Sequence, residues 1–102
     1  MKLKQGVNLT GLRPELIIGL MVADTVCKEH GIDMVVTSLC DSVHSQTSLH
    51  YSGAAGDIRT HNMLEQEHKI LDKIRENLPE DFDVILEKDH IHMEFQPRRK
   101  TS

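Results

Sequence analysis

The chain has 102 residues, 38% hydrophobic and 27% charged, with a formal net charge of -4. A chain of this length makes one domain near the lower end of sizes that bury a self-sufficient core, and its composition excludes both a disordered and a membrane-embedded protein. Its negative balance argues against binding duplex nucleic acid, and one Tyr, two Phe and no Trp argue against a stacking surface for single strands.

The first residues, MKLKQGVNLTG, are basic, but the apolar run LIIGLMVA that follows is bounded by Glu15 and Asp24. It is too short to span a bilayer and lies too far inside for a signal peptide, so the chain is expected to be cytoplasmic where it is made, without membrane insertion. TGLRPELIIGLMVADTVCKEHG predicts a helix, with Thr10 as its cap, Pro14 in the first turn and Gly31 as the stop. Leu16, Leu20, Ala23 and Cys27 recur at helical spacing and should face the core. IDMVVTSL then predicts a central strand of about six residues, rich in β-branched side chains. Two cysteines, Cys27 and Cys40, do not make a disulfide scaffold and read as reduced thiols.

Residues 40 to 56 form a polar loop longer than a structural connection needs. AGDIRT predicts a short extended piece, and HNMLEQEHKILDKIRENL a helix with Leu64, Ile70 or Leu71, Ile74 and Leu78 as its apolar stripe, ended by Pro79. DFDVILEKDHIHMEF predicts two strands joined by a tight turn near Lys88 and Asp89; in the second, Ile91, Met93 and Phe95 alternate with His90, His92 and Glu94, so one face packs and the other carries imidazoles. The expected fold is α+β, a small antiparallel sheet with flanking helices. A single domain covers residues 1–102, with its core at about 11–97 and a basic tail at 98–102.

Within the polar loop, SLHYSGAAGD places His50 and Asp57 around glycines and alanines, where a core gains little from the small side chains. Two imidazoles and a carboxylate suit zinc, and three protein ligands leave a fourth position for water. The stretch fits Ser-x-His-x-x-Gly-x-Ala-x-Asp through Ser48, His50, Gly53, Ala55 and Asp57, and DHIH supplies an Asp-x-x-His pair through Asp89 and His92. Together these resemble the zinc peptidases that include D-alanyl-D-alanine carboxypeptidases and the L-alanyl-D-glutamate endopeptidases of phage lysins, with the hedgehog signalling domain as a relative.

The resemblance implies one Zn2+ per chain held by His50, Asp57 and His92, with Asp89 as the catalytic base and Ser48 as a supporting hydrogen-bonder. In a straight strand Asp89 and His92 point to opposite faces, a conflict relieved if Asp89 belongs to the turn; Glu87 and His90 form a rival base and ligand pair at the same separation. With Asp89 and His92 in those roles, His90 becomes a supporting or substrate-contacting donor. The arginine that many of these peptidases carry after the preceding strand is missing, and His44 or Arg59 stands in for it at the substrate or oxyanion. His30, His61 and His68 read as surface residues.

The implied activity is hydrolysis of peptide bonds in peptidoglycan stem peptides, next to a D-amino acid, by a monomer that reaches the cell wall on release, as a phage lysin does. A non-catalytic binding module that keeps the zinc fold is the alternative, and a virion-associated wall-degrading protein would share the chemistry in another location.

Overall fold

The computed structural model describes residues 1–40 and 54–96. Along the chain the elements are β1 (Lys2–Leu3), α1 (Pro14–Glu29), β2 (Val35–Cys40), β3 (Ala55–Arg59), α2 (Glu67–Glu76), β4 (Phe82–Leu86) and β5 (His90–Phe95). The strands form one sheet in the order β1-β2-β3-β5-β4.

Alternation of side chains decides which way the sheet faces. Val36, Ile58, Val84, Ile91 and Met93 join one buried cluster with Leu16, Leu20, Ala23 and Cys27 of α1 and Ile70, Leu71 and Ile74 of α2. Burying each large side chain of this kind contributes about 1.5–3 kcal/mol, so this row sets the register of the sheet. The intervening residues Asp57, Arg59, His90, His92 and Glu94 are only partly buried and occupy the other face. Burial pushes the Cys27 thiol up to about 11, which leaves it a neutral core group.

Helix α1 agrees with its expected span, and Gly31 follows it at φ +75, the left-handed conformation that a helix stop favours. Thr10 is not its cap. Arg13 holds that position without a side-chain cap, while the Thr10 amide donates to Asn8 Oδ1 at 2.8 Å in a preceding turn. The hairpin of β4 and β5 also lies where alternation put it, with Asp89 in the connecting turn.

The sheet is mixed, not wholly antiparallel. Lys2 and Leu3 pair in parallel with Val35 and Val36, ahead of the expected core boundary at residue 11; a two-residue strand is too short to carry a periodicity. The interior of the sheet is correspondingly centred on β3, with β2 next to it. Helix α2 begins at Glu67 because Leu64 and Glu65 adopt φ of 56° and 66°, a left-handed pair that no helix accommodates. Leu64 is 73% exposed, and Met63 is buried in its place. At its other end α2 stops at Glu76, before Pro79.

No helix among the described residues is long and apolar enough to cross a membrane.

Gly19 of α1 lies against the hairpin, where an added Cβ would come within 2.5 Å of the Phe82 ring and 3.1 Å of Met93 Sδ. Gly19→Val is therefore expected to destabilise the fold by about 1–3 kcal/mol through overpacking, read as a lower urea midpoint at unchanged denaturant dependence.

Candidate metal centre

The antiparallel register of β3 and β5 sets Asp57 opposite His92 and Arg59 opposite His90, with all four on the polar face. His92 Nδ1 lies 2.8 Å from Asp57 Oδ1. On the far side of the ring, His92 Nε2 is 3.1 Å from Glu94 Oε1. The carboxylate of Asp57 is steadied by the Ser38 hydroxyl, which donates to Oδ2 at 2.8 Å. Gln96 Nε2 in turn donates to Glu94 Oε2.

A bulge in β2 supplies the serine. Val36 pairs with Ile58, but Ser38 pairs with Asp57, so Thr37 is an extra residue on the β2 side. Without that shift, regular pairing would set Thr37 opposite Asp57. Glu94 and Ser38 were absent from the site expected from sequence. Glu94 is signalled by its place in the His90, His92, Glu94 alternation, whereas Ser38 depends on a bulge that leaves no mark in the pattern.

Both ring nitrogens of His92 face carboxylate oxygens, and a neutral imidazole has only one N–H. With that proton on Nε2 toward Glu94, a lone pair on Nδ1 faces Asp57 Oδ1, and the gap between them requires a cation. A proton meets the requirement: burial opposes charge on His92, but hydrogen bonds to Asp57 and Glu94 outweigh it and raise the pKa above 6.5. A metal ion replacing that proton would meet the same requirement. Histidine ligands of metals commonly donate their other N–H to a carboxylate, as His92 is placed to do with Glu94. Zinc at its usual ligand distances would hold the two donor atoms about 3.3 Å apart, a small opening from the proton-bridged spacing.

His50, the third expected ligand, lies outside the described residues, as do His44 and Ser48. Among the described residues no group of three or more His, Cys, Asp and Glu side chains is arranged to hold a metal. Of the three expected ligands, the described residues bring together two, Asp57 and His92.

Asp89 stands in the β4–β5 turn, highly exposed, and its Oδ1 is bound to His90 Nδ1 at 2.8 Å. That bond holds the Asp89 carboxyl below its usual range and raises the pKa of His90. His90 Nε2 is also 2.7 Å from Glu87 Oε1 and 3.5 Å from Asp57 Oδ1. The structure therefore brings Asp57, His90 and His92 together, with Glu87 and Asp89 both attached to His90. Asp57 lies nearer to His92 than to His90. Arg59, beside His90, lines a cleft of about 260 Å³ with Lys4, Thr37 and His61.

Comparison of the chain with family models, with curated proteins and with solved structures found no match.

A histidine whose pKa is raised on folding adds stability that is complete below the unfolded value of about 6.5 and is lost as the pH climbs through the folded value. In chelator, the protein is accordingly expected to lose thermal stability between pH 6 and 9 relative to His92→Gln, the two melting curves being compared at each pH.

Proposed function

We propose that the chain is a zinc metallopeptidase acting on peptide bonds of peptidoglycan stem peptides, next to a D-amino acid. The observation that carries this reading is the contact of Asp57 with His92, 35 residues apart in the chain, with a hydrogen-bonding partner behind each. These two residues close the two motifs that support the resemblance, and the sheet register brings them face to face. A pair gripped from behind and sharing one cationic gap is what metal ligation asks of its donors.

In this reading Asp57, His92 and His50 hold the metal. Ser38 fixes the rotamer of Asp57, and Glu94 fixes the tautomer of His92 so that Nδ1 presents its lone pair. When bound, zinc supplies Lewis acidity, polarising a carbonyl and bringing the ionisation of water to roughly pH 7. Asp89 takes the proton from the attacking water and returns it to the leaving amine. Its place in the turn resolves the strand conflict between Asp89 and His92, because a turn carboxylate is not committed to either face. His90, bound to Asp89 Oδ1, orients that carboxylate.

The test combines metal analysis with mass analysis of fragments released from purified peptidoglycan. The parent protein is expected to carry one zinc and to release chelator-sensitive peptide fragments. Asp57→Asn should lose both zinc and cleavage. Asp89→Ala should keep zinc and lose about 10²–10⁴-fold in rate. A protein that stays metal-free under zinc-replete conditions would overturn the reading, and one that binds zinc but cleaves nothing would be a binding module instead.

Glu94→Gln separates the support of His92 from its ligation. It is expected to weaken zinc affinity by about 10–100-fold while leaving the fold intact, measured by competition with a chromophoric chelator.

A further inference from the structure

The two helices cover the same side of the sheet but differ on their outward faces. Every exposed position of α2 is polar: His68, Lys69, Asp72, Lys73, Arg75 and Glu76. On α1 the exposed positions include Ile18 at 59% and Met21 at 56%, with Val22 half-buried beside them. A helix at a protein surface ordinarily turns polar residues outward, and one that is apolar on both sides is suited to being covered on both. Single exposed apolar residues need no explanation, but Met21 and Val22 stand three and four residues from Ile18 and so form one patch with it.

The same patch contains a hollow. Val22, Thr25, Val26 and Glu29 of α1 line an open cleft of about 240 Å³ with Asn77 at the end of α2. Ile18 and Met21 project, while the cleft lies on the C-terminal half of the helix. A surface that carries a projection and a hollow side by side complements itself under a two-fold rotation, the commonest symmetry of protein dimers.

Charge selects the direction of that rotation. A two-fold axis through the midpoint of α1, between Met21 and Val22, sets Met21 opposite Val22 of the second copy, Ile18 opposite its Thr25 and Glu15 opposite its Lys28. Ile18 then enters the cleft beside Thr25, and each end of the contact gains one acid–base pair. Within a single chain Glu15 has only Arg13 at 3.7 Å, and Lys28 shares Asp24 with the Met1 ammonium, so both side chains stay largely open to solvent. Glu29, at the negative end of its own helix, comes to the positive end of the second α1. Parallel alignment does the reverse, setting Glu15 against Glu15 and Lys28 against Lys28.

In place of the expected monomer, we propose that the chain forms a homodimer in which two copies of α1 pack antiparallel across Ile18, Met21 and Val22. The helices lie on the buried side of the sheet, so the polar faces bearing Asp57 and His92 point away from the contact, and dimerisation requires neither zinc nor peptide. A helix of 16 residues is about 24 Å long, which places the contact at the small end of specific interfaces and the dissociation constant at about 10–100 μM.

Sedimentation equilibrium of the full chain, from about 5 to 500 μM, reads the association directly. The parent is expected to pass from monomer to dimer across that range. Met21→Glu would bury an unpaired charge in the contact and should weaken association by about 30-fold or more, with a dilute melting curve like the parent's. Glu15→Lys and Lys28→Glu should each weaken it by about threefold or more, because each brings like charges together. An equimolar mixture of these two variants should recover the association of the parent, since opposite charges meet again at both ends of the mixed dimer. A parent that stays monomeric throughout would overturn the dimer, including one that instead attaches to phosphatidylcholine vesicles through Met21. So would a dimer that Met21→Glu leaves unchanged. A mixture that associates no more tightly than its components would overturn the antiparallel alignment.

Discussion

The polar face depends on the pairing of β3 with β5. Ile58 and Ile91 are direct partners in that ladder and both are fully buried, so a slip of one residue would expose them and carry Asp57 and His92 into the apolar cluster. The energy that keeps the register is hydrophobic and belongs to the face that carries no chemistry. It nevertheless fixes where a carboxylate and an imidazole meet on the opposite side. Function and stability are thus separated by face but joined by a single ladder.

Electrostatics explains why such a meeting place is tolerated. Asp57, Glu87, Asp89 and Glu94 all approach His90 or His92, an arrangement that favours the cationic form of both rings. An apolar substitute for either histidine would leave carboxylates facing one another. The surface is prepared for positive charge whether a proton or a metal ion supplies it, and exchange of one for the other links occupancy to pH.

Much of this arrangement is legible in the chain. The alternation from His90 to Glu94 is regular, and it disclosed both the strand and the shared side of the imidazoles. The spacing of Leu16, Leu20, Ala23 and Cys27 disclosed α1 in the same way. What failed was local conformation set by tertiary contact. Leu64 fits a helical stripe, yet the chain has to reverse after β3, and residues 64 and 65 turn it through the left-handed region. β1 is two residues long and is defined only by its partner. Of the expected site, Asp57, Arg59, Asp89, His90 and His92 gather around one end of the β3–β5 ladder, while Ser48, His50 and His44 fall in a stretch outside the described residues. The supports differ in the same sense: Glu94 follows from periodicity, and Ser38 follows from a shift in pairing that no periodicity records.

The extra residue in β2 also bears on how the gene can vary. Beyond Thr37 the inside and outside positions of this strand are exchanged, so that Ser38 meets Asp57 and Leu39 closes over Gly56. Deletion of Thr37 would restore an unbroken ladder with Ser38 still opposite Asp57 and Leu39 still over Gly56, and deletion of Ser38 would bring the Thr37 hydroxyl opposite the same carboxylate. Loss of the one extra residue is therefore compatible with the ladder, and what has to persist is a hydroxyl opposite Asp57 and an apolar side chain over Gly56.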